Sequence, residues 1–405
     1  MKKLLLLFLM LNIYTCICQE SDGFLYQIKG NNGFGLIDNL GNVIVEPEFF
    51  QVGEFKEGLA YFEIYKKGIG HHLAGYVNLN GEISVEPVFV SNNNLSRQFS
   101  EGLAVVKDKN YSCGYINKQG EMIIAPKYSH AHEFKEGYAV VQLNGEKILI
   151  NKKGEVVLNP KKIMLDAHGL KINKRRGEYI AISNHVKEGL ISFKINKDNY
   201  PIRTGVFNTK GKLIFKLKEF SQIHEFNNGI ALAISKDNKK AGYINKYGKI
   251  IIPFKFSKAT NFTNGYAKVQ DANTKKYGII NEKGEYVIKP EYTFISDKYY
   301  SNEFIVACKT VGKCGYLDIQ GNVTIDLKYY SVGDFSEGIA MVYDRIKKDV
   351  FYINKKNEKV IELDFDINYS QYGSVFENGL AKVKLKGVGT VYINKKGEII
   401  YKFNK

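Results

Sequence analysis

The chain is a succession of short apolar stretches separated by polar turns. Valine, isoleucine and tyrosine dominate the apolar stretches, and glycine, asparagine and proline bound them, which is the pattern of β-strands. No stretch keeps the apolar period of a helix for three turns. The pattern also repeats: Gly114–Gly120, with the sequence Gly-Tyr-Ile-Asn-Lys-Gln-Gly, has counterparts about every 36 to 40 residues. A period of this kind predicts a tandem β-repeat protein.

Three strand patterns recur in each unit. The first contains Tyr-Ile-Asn, as at 115–117, the second is β-branched, as at 122–124, and the third is similar to Gly-Leu-Ala-Val-Val, as at 102–106. The sequence therefore predicts an all-β fold with a tandem array of about ten three-stranded antiparallel β-meander repeats. Because one unit of about 37 residues buries too little apolar surface to offset its conformational entropy, we expect the units to be stable only when stacked.

The connection between the first and second strands is predicted to be a tight turn. Asn or Asp, two further residues and then Gly is the sequence of a type I turn that ends in a left-handed residue. In one unit Asn357 replaces the glycine, and asparagine is the residue that best tolerates a positive φ. The structural turn glycines that we predict are Gly41, Gly81, Gly120, Gly154, Gly211, Gly248, Gly284, Gly321 and Gly397.

Two further features follow these turns. A proline such as Pro126 comes six residues after most of the turn glycines, and we expect it to end the second strand because it lacks an N–H. An aromatic residue and then the phrase Phe-x-Glu-Gly follow, as at Phe134–Gly137. We expect the aromatics to pack between neighbouring units. The glutamate recurs in most units, as a structural turn residue does and a catalytic residue does not.

Together these phrases resemble the WG-repeat family, which is common in exported bacterial proteins. The resemblance extends from about residue 24 to residue 405. The family is named for a Trp before the Gly, whereas this chain has no Trp and carries residues such as Phe34, Ala74 and Cys113 there. The resemblance implies repeats that serve binding or scaffolding, and it carries no catalytic residue.

Two arrangements of the units fit the sequence. Residues 23–29 supply only the third strand of a unit and residues 389–404 only the first two, so the two ends together could complete one unit of a closed propeller-like ring. Ten such units exceed the usual four to eight blades, and we therefore expect an open curved solenoid. One interval, from Ile148 to Gly205, is longer than the rest. Within it, a segment at about 156–200 is either a degenerate unit, which we prefer, or an inserted surface loop.

Residues 1–18 have the features of a signal peptide. A basic start and an apolar stretch over 4–13 precede a small-residue cleavage site at Cys16-Ile17-Cys18. Acylation of Cys16 or Cys18, as in a lipoprotein, is the alternative. No other stretch approaches 18 apolar residues, so the repeat array at 19–405 is predicted to have no transmembrane segment. We expect it to be periplasmic, at the cell surface or secreted.

The cysteines of the exported chain suggest one cross-link. Cys308 and Cys314 flank a short turn, and in an oxidising compartment they are candidates for a disulfide. The alternative is that they are small buried residues, which is the interpretation we favour for Cys113.

The formal net charge of +16 raises the question of an anionic partner. The cations are mostly lysines that are dispersed through the turns, and arginine, which suits bidentate phosphate contacts, is scarce. We therefore attribute the charge to solvated turn residues and expect no nucleic-acid partner.

The sequence contains no motif that carries chemistry. A nucleophile elbow, a phosphate loop, a dinucleotide fingerprint and a zinc motif are all absent. His71-His72 and His130-x-His132 lack a third ligand at metal spacing, so we predict no catalytic residue, cofactor or metal. We expect a non-enzymatic binding or scaffolding protein of the bacterial cell envelope that engages a protein or an envelope glycan. The alternatives are a glycan-active enzyme with unmarked carboxylates, or a purely structural envelope component.

Substitution of Gly120 by valine tests the turn assignment. A β-branched side chain at a left-handed position should destabilise the unit by about 1–2 kcal/mol and lower the midpoint of thermal unfolding. Gly120→Asn is the matched control, because asparagine tolerates the same backbone and should cost less. An unchanged melting temperature for Gly120→Val would contradict the assignment.

Overall fold

The computed structural model describes residues 23–68, 70–91, 97–160, 162, 178–298, 303–366 and 374–403. In these ranges the chain folds into short antiparallel β-strands, as the apolar pattern predicts. The predicted signal peptide, with Cys16 and Cys18, lies outside the described residues. Within the described ranges, no helix has the length and apolar character needed to cross a membrane.

The strands of the first half of the chain are β1 (Tyr26–Gly30), β2 (Gly33–Ile37), β3 (Val43–Phe49), β4 (Gln51–Val52), β5 (Leu59–Tyr65), β6 (His72–Asn78), β7 (Ile83–Val90), β8 (Ala104–Lys107), β9 (Cys113–Ile116), β10 (Met122–Tyr128), β11 (His130–Ala131), β12 (Tyr138–Leu143), β13 (Glu146–Asn151), β14 (Val156–Leu158), β15 (Glu178–Ile182), β16 (Leu190–Lys197), β17 (Tyr200–Asn208) and β18 (Leu213–Leu217). Those of the second half are β19 (Phe220–Asn227), β20 (Ile230–Ser235), β21 (Ala241–Asn245), β22 (Ile250–Ala259), β23 (Tyr266–Asp271), β24 (Tyr277–Asn281), β25 (Tyr286–Tyr292), β26 (Phe294–Ile295), β27 (Ile305–Thr310), β28 (Lys313–Leu317), β29 (Val323–Tyr329), β30 (Ser331–Val332), β31 (Ile339–Asp344), β32 (Asp349–Asn354), β33 (Lys359–Glu362), β34 (Leu380–Leu385), β35 (Gly389–Asn394) and β36 (Ile399–Lys402).

Neighbouring strands in sequence are neighbours in each sheet. Three sheets have three strands (β1–β3, β8–β10 and β34–β36), and five have four strands (β4–β7, β11–β14, β15–β18, β26–β29 and β30–β33). Strands β19–β25 form one seven-stranded sheet, in which the long strand β22 belongs to two units. The prediction of three strands is therefore wrong for most units. A very short strand such as β11, which has no apolar run of its own, precedes the Gly-Leu-Ala-Val-Val strand.

The units also begin at a different strand from the one that the repeated phrase suggested. The Gly-Leu-Ala-Val-Val strand pairs with the Tyr-Ile-Asn strand that follows it, as β12 pairs with β13. At the chain ends, β1 pairs with β2, and β35 pairs with β34 and β36. Strand β1 and strands β35 and β36 therefore belong to two separate sheets and do not complete a shared one.

Much of the described part of the segment at 156–200 lies in regular sheets. Residues 156–158 form β14, and β15–β18 pair in the same order as the strands of the other four-stranded units. The extra length lies mainly between Pro160 and Glu178, and most of that stretch is outside the described residues.

The glycine that opens the repeated phrase is required by a bulge in the neighbouring strand. Between Ile124 and Tyr128 the pairing of β10 with β9 shifts in register, and Pro126 lies in this bulge. A β-carbon on Gly114 would lie 2.6 Å from Ile124 O and 2.9 Å from Pro126 N, so only glycine fits there. The expectation that proline ends the second strand is wrong: Pro126 lies inside β10, where the bulge removes the need for its N–H.

The length of the strand that follows the Tyr-Ile-Asn strand depends on this residue. Where it is Gly35, Gly75, Gly114, Gly278 or Gly315, the next strand has seven or eight residues, and with Gly242 it has ten and with Gly205 five. Where it is Ile148, Phe351 or Val391, the next strand has only three or four. A side chain at this position thus excludes the bulged part of the partner strand.

The predicted turn glycines all have left-handed backbone. Their φ values lie between +79° and +89°, and Asn357, which replaces one of them, has φ +64°. In the unit at 114–128, Asn117 accepts the N–H of Gly120 at its carbonyl, and its side-chain Oδ1 accepts the N–H groups of Gln119 and Glu121. The asparagine and the glycine therefore close the turn together.

The apolar cores lie between successive sheets. The core that joins the sheet β8–β10 to the sheet β11–β14 contains Val105 and Tyr115 from the first and Ala139 and Ile150 from the second. Tyr115 is completely buried, and its hydroxyl donates a 2.7 Å hydrogen bond to the backbone carbonyl of His132 in the second sheet. The equivalent tyrosines that donate to the following sheet are Tyr76, Tyr243, Tyr316 and Tyr352.

The Glu-Gly turns link the sheets in a second way. Glu101 has φ +54°, and its Oε2 accepts the N–H of Gly137 in the next sheet at 2.9 Å. Lys152 of that next sheet lies 3.1 Å from the same oxygen and donates to the carbonyl of Glu101. The glutamates that accept an N–H from the next sheet in this way are Glu57, Glu101, Glu136, Glu188 and Glu337. Their structural role agrees with the interpretation from sequence, but it extends beyond the turn.

The first and last sheets contact each other. Tyr26 and Ile28 of β1 share a core with Leu380 and Tyr392 of the last sheet. The Tyr392 hydroxyl donates to Gln27 O at 3.0 Å, as the other repeat tyrosines donate to the sheet that follows them. The turn at Gly41 packs on Ile400, just as the turn at Gly120 packs on Val85 of the preceding sheet.

Substitution of Gly114 by alanine tests the bulge. The added β-carbon would meet backbone atoms that cannot move aside without breaking the β9–β10 pairing, so we expect a loss of about 1–3 kcal/mol in the free energy of unfolding. Hydrogen exchange should become faster at the Tyr128 amide. Cys113→Ala on the same strand is the control and should cost less. If Gly114→Ala matched this control, the close approach would not be the reason for the glycine.

Substitution of Glu101 by glutamine tests the link between sheets. Burial on its own raises the pKa of Glu101, but the hydrogen bonds from Lys152 and from Gly137 N–H outweigh it, and the pKa lies below its usual value. The stabilisation by the carboxylate is therefore present above the unfolded-state pKa of about 4.3 and is lost as the pH falls through the folded-state pKa. We expect Glu101→Gln to lose about 1 kcal/mol at pH 7 and almost nothing at pH 3. Urea unfolding at both pH values measures this, and an equal loss at both would contradict the role of the charge.

Candidate binding surface

The loops of the sheets lie at two opposite ends of the strands. The Asn-x-x-Gly turns and the Glu-Gly turns share one end, which we call the turn face. The loops between the Gly-Leu-Ala-Val-Val and Tyr-Ile-Asn strands, together with the connections into the short strands, share the other end, which we call the hairpin face. The loops of the hairpin face are centred on residues 31–32, 66–71, 108–112, 144–145, 198–199, 236–240, 272–276, 311–312, 345–348 and 386–388.

Large apolar side chains are exposed at the hairpin face of several units. Tyr200 is 76% exposed and Tyr65 is 60% exposed, whereas a buried repeat tyrosine such as Tyr115 has no exposed surface. The exposed aromatic and aliphatic side chains of this face are Phe50, Tyr65, Tyr111, Tyr179, Tyr200, Phe294, Val311 and Ile346. The turn face carries Leu40 and Tyr247. Clusters of solvent-exposed aromatic side chains are typical of binding surfaces.

One group of rings on the hairpin face is assembled from two strands and a loop. The ring of His72 lies 3.7 Å from that of Phe50 and 5.4 Å from that of Tyr65, measured between centroids. Tyr65 and His72 are directly paired across β5 and β6. The rings therefore form a fixed aromatic surface of which Phe50 and Tyr65 remain about half exposed.

The backbone at Tyr111 is also unusual. This residue lies at the tip of a hairpin with φ +61°, where other units carry Lys239 or Lys275, an asparagine such as Asn144, or a glycine such as Gly312. A bulky aromatic residue at a left-handed position costs stability relative to asparagine or glycine. The ring nevertheless is 53% exposed, so burial of the ring does not offset this cost.

On the turn face, lysines and glutamates of successive sheets form ion pairs. Lys118, Lys152 and Lys395 each contact the glutamate of the preceding sheet. Several of the lysines in the repeated phrase thus form ion pairs that link successive sheets. This agrees with the interpretation that the positive charge resides in turn residues.

Three histidines lie in successive units at 132, 185 and 224. The rings of His132 and His185 are 5.8 Å apart, and the side chain of Gln222 lies 3.0 Å from His224 Nε2. Burial lowers the pKa of all three histidines. A nearby lysine lowers each pKa further: Lys147 for His132, Lys135 for His185 and Lys194 for His224. They are therefore neutral at pH 7. Among the described residues, no group of three or more His, Cys, Asp or Glu side chains is arranged to hold a metal.

Two of the three described cysteines, and two aspartates that depart from the repeat, have structural partners. Cys308 and Cys314 form a disulfide between directly paired residues of β27 and β28. Cys113 is buried and free, and burial raises the pKa of its thiol. Asp364 and Asp366, which depart from the repeat, form ion pairs with Lys386 and Lys384.

Two features of the surface had no signature in the sequence. The contact of His132 with His185 joins residues of different units, and the two ring systems of Phe50 and His72 are separated by a whole strand. The one available indication is the polar loop between Tyr65 and His72, which places both at strand ends.

Solved structures of low sequence identity are similar to this chain. A eukaryotic initiation factor is 10% identical, with a TM-score of 0.48, and the match covers 94% of this chain and 96% of that one. BamB from Moraxella catarrhalis is 13% identical over 73% of this chain and 92% of its own, with a TM-score of 0.34. The Dos1 propeller is 11% identical over 72% of this chain and 89% of its own, with a TM-score of 0.37. Comparison with curated protein sequences gives no match.

The comparison with protein families identifies the repeat. The WG containing repeat matches at residues 34–67, 75–111, 114–146, 205–239, 242–274, 277–310 and 315–344. Each segment begins at or next to the residue that opens the Gly-Tyr-Ile-Asn phrase, so the match rests on the same positions that form the bulge and the turn. Since these segments cover more than half of the residues, the chain belongs to the WG containing repeat family.

Proposed function

We propose that this protein is a non-enzymatic binding or scaffolding protein of a bacterial cell envelope and that it engages a protein partner through the hairpin face. The observation that carries the proposal is the exposure of aromatic side chains on this face in several units, with Tyr65 and Tyr200 the most exposed of them. Tyrosine supplies a large contact area at a small entropic cost, and it is enriched at the centres of protein interfaces.

The backbone of Tyr111 supports the same proposal. An exposed aromatic residue at a left-handed position lowers stability and improves no internal contact of the hairpin tip. Contact between the ring of Tyr111 and a binding partner would account for a tyrosine at this position. The turn face, in contrast, has its glutamates and lysines engaged between sheets.

The contacts between the first and last sheets support a closed propeller-like ring of ten units. The seven-stranded sheet counts as two units, and each of the other sheets counts as one. Tyr392 and Gly41 make across the chain ends the two contacts that Tyr115 and Gly120 make between interior units. In such a ring the hairpin face is a continuous circular surface, which suits a partner with an extended or repeated structure.

Export is supported by the sequence of residues 1–18, which has the basic start, apolar stretch and small-residue end of a signal peptide. The absence of catalytic motifs from the sequence supports a non-enzymatic role. An envelope glycan in place of the protein partner, a glycan-active enzyme and a purely structural component are the competing functions that the experiment below separates.

The test is capture of partners from the protein's own cell envelope with the tagged chain that begins at Gln19. We expect one discrete protein to be retained at moderate salt by the wild-type chain. The double variant Tyr65→Ser/Tyr200→Ser should lose about 2 kcal/mol of binding free energy, because both rings leave the surface. Tyr247→Ser, which removes a 69%-exposed ring from the turn face, is the matched control and should bind normally.

Three results would contradict the proposal. Equal loss for the hairpin-face variant and the control would place binding elsewhere. Retention of glycan alone, with release as the salt concentration rises, would mean that the lysines are the functional groups. Turnover of an envelope glycan by the wild-type chain would make the protein an enzyme.

A further inference from the structure

A separate cavity lies between the sheets β26–β29 and β30–β33, at the hairpin face. Its volume is about 580 Å³, which is within the range of sites for small organic molecules. Its apolar and sulfur-containing lining includes Phe294, Val311, Tyr330 and the Cys308–Cys314 pair, and its polar lining includes Ser296 and Asp334.

One wall of the cavity, the ring of Tyr330, is held in position by its neighbours. The guanidinium of Arg345 lies 5.0 Å from the centre of the Tyr330 ring, and Tyr343 packs edge-on against the same ring at 5.5 Å. Gly312 lies so close that a β-carbon there would be 3.2 Å from Tyr330 Cδ2. The ring is therefore held in place before any ligand arrives, which reduces the entropic cost of binding.

The polar side of the cavity presents hydrogen-bond acceptors. Ser296 Oγ donates to Asp334 Oδ1 at 2.7 Å, which orients the carboxylate, and Lys298 lies 3.9 Å from Oδ2. An ionised carboxylate accepts hydrogen bonds and donates none. A ligand with a hydrogen-bond donor could therefore donate to Asp334.

The disulfide forms part of the wall. Cys308 and Cys314 are directly paired across β27 and β28, and the hairpin that they close carries Val311, which is 84% exposed at the rim. Sulfur makes favourable contacts with aromatic rings. The bond also limits how far the Val311 hairpin moves relative to Tyr330.

We propose that this cavity is a binding site for an uncharged aromatic small molecule with a hydrogen-bond donor, and that the Cys308–Cys314 disulfide keeps it competent to bind. The ring of the ligand lies between Phe294, Tyr330 and the disulfide, and its donor faces Asp334. Reduction by a dithiol transfers two electrons and two protons, breaks the Sγ–Sγ bond and leaves two thiols and the oxidised dithiol. The cavity lies on the same face as the surface proposed for the protein partner, but its lining includes Phe294 and Val311 and not Tyr65 or Tyr200.

N-Phenyl-1-naphthylamine is a suitable probe, because it is uncharged, aromatic and carries one N–H. The chain has no Trp, so the emission of the probe is read without interference from that residue. We expect saturable binding of one probe per oxidised chain. Phe294→Ala and Val311→Asp change exposed side chains that line the cavity, and each should weaken binding about tenfold.

Ile346→Asp is the matched control, because Ile346 is 95% exposed in the corresponding hairpin of the next unit and does not line the cavity. It should leave the affinity unchanged. If all three variants bound the probe like the wild-type chain, or if all three lost it equally, the cavity would not be the site and the proposal would be overturned.

The role of the disulfide is tested with dithiothreitol and with Cys308→Ser/Cys314→Ser. Both treatments should weaken binding of the probe several-fold, while the circular dichroism of the sheets stays the same. An affinity that is unchanged by both would overturn the dependence on the disulfide. If the affinity were lost together with the circular dichroism signal of the sheets, the disulfide would serve folding and not the binding site.

Discussion

Where a unit carries the repeat tyrosine, its ring is buried because the next unit covers it. Tyr115 shows the consequence: its ring has no exposed surface, and its hydroxyl finds an acceptor only in the backbone beyond its own unit. Burial raises its pKa far above the usual value, so the hydroxyl remains a donor at every ordinary pH. A buried hydroxyl without its partner would cost a few kcal/mol, and the spacing and orientation of two successive sheets are therefore set together.

The sequence predicts well what depends on neighbouring residues. The backbone at Gly120, and the exception at Asn357, follow from the local chemistry of a turn, and both have the expected φ. The position of Pro126 was misjudged because a bulge depends on the strand that faces it. The strand β11 was missed because its two residues are defined by pairing with β12 and not by any apolar run. In both cases the deciding contact lies on another strand.

The surface was harder to predict than the fold, for a related reason. The residue type alone does not distinguish Tyr65, Tyr115 and Tyr247. The structure separates them into an exposed ring at the hairpin face, a buried ring between sheets and an exposed ring at the turn face. Which of the three a tyrosine becomes depends on its distance from a strand end and on the adjacent sheet. Likewise Glu101 has the appearance of a turn residue, and only the neighbouring Gly137 reveals that it also joins two sheets.

The bulge at Pro126 has a further consequence for solubility. The bulged strand is the outer strand of most sheets, and its exposed side chains include Val43, Ile83 and Ile123. A flat, apolar edge of this kind ordinarily recruits the edge of another molecule and starts aggregation. A proline that offers no N–H, set in a bend that disrupts the register, makes each such edge a poor template. The prolines that interrupt outer strands in this way are Pro47, Pro87, Pro126 and Pro290. The same irregularity that requires a glycine inside the sheet thus protects a protein with many open edges from polymerising through them.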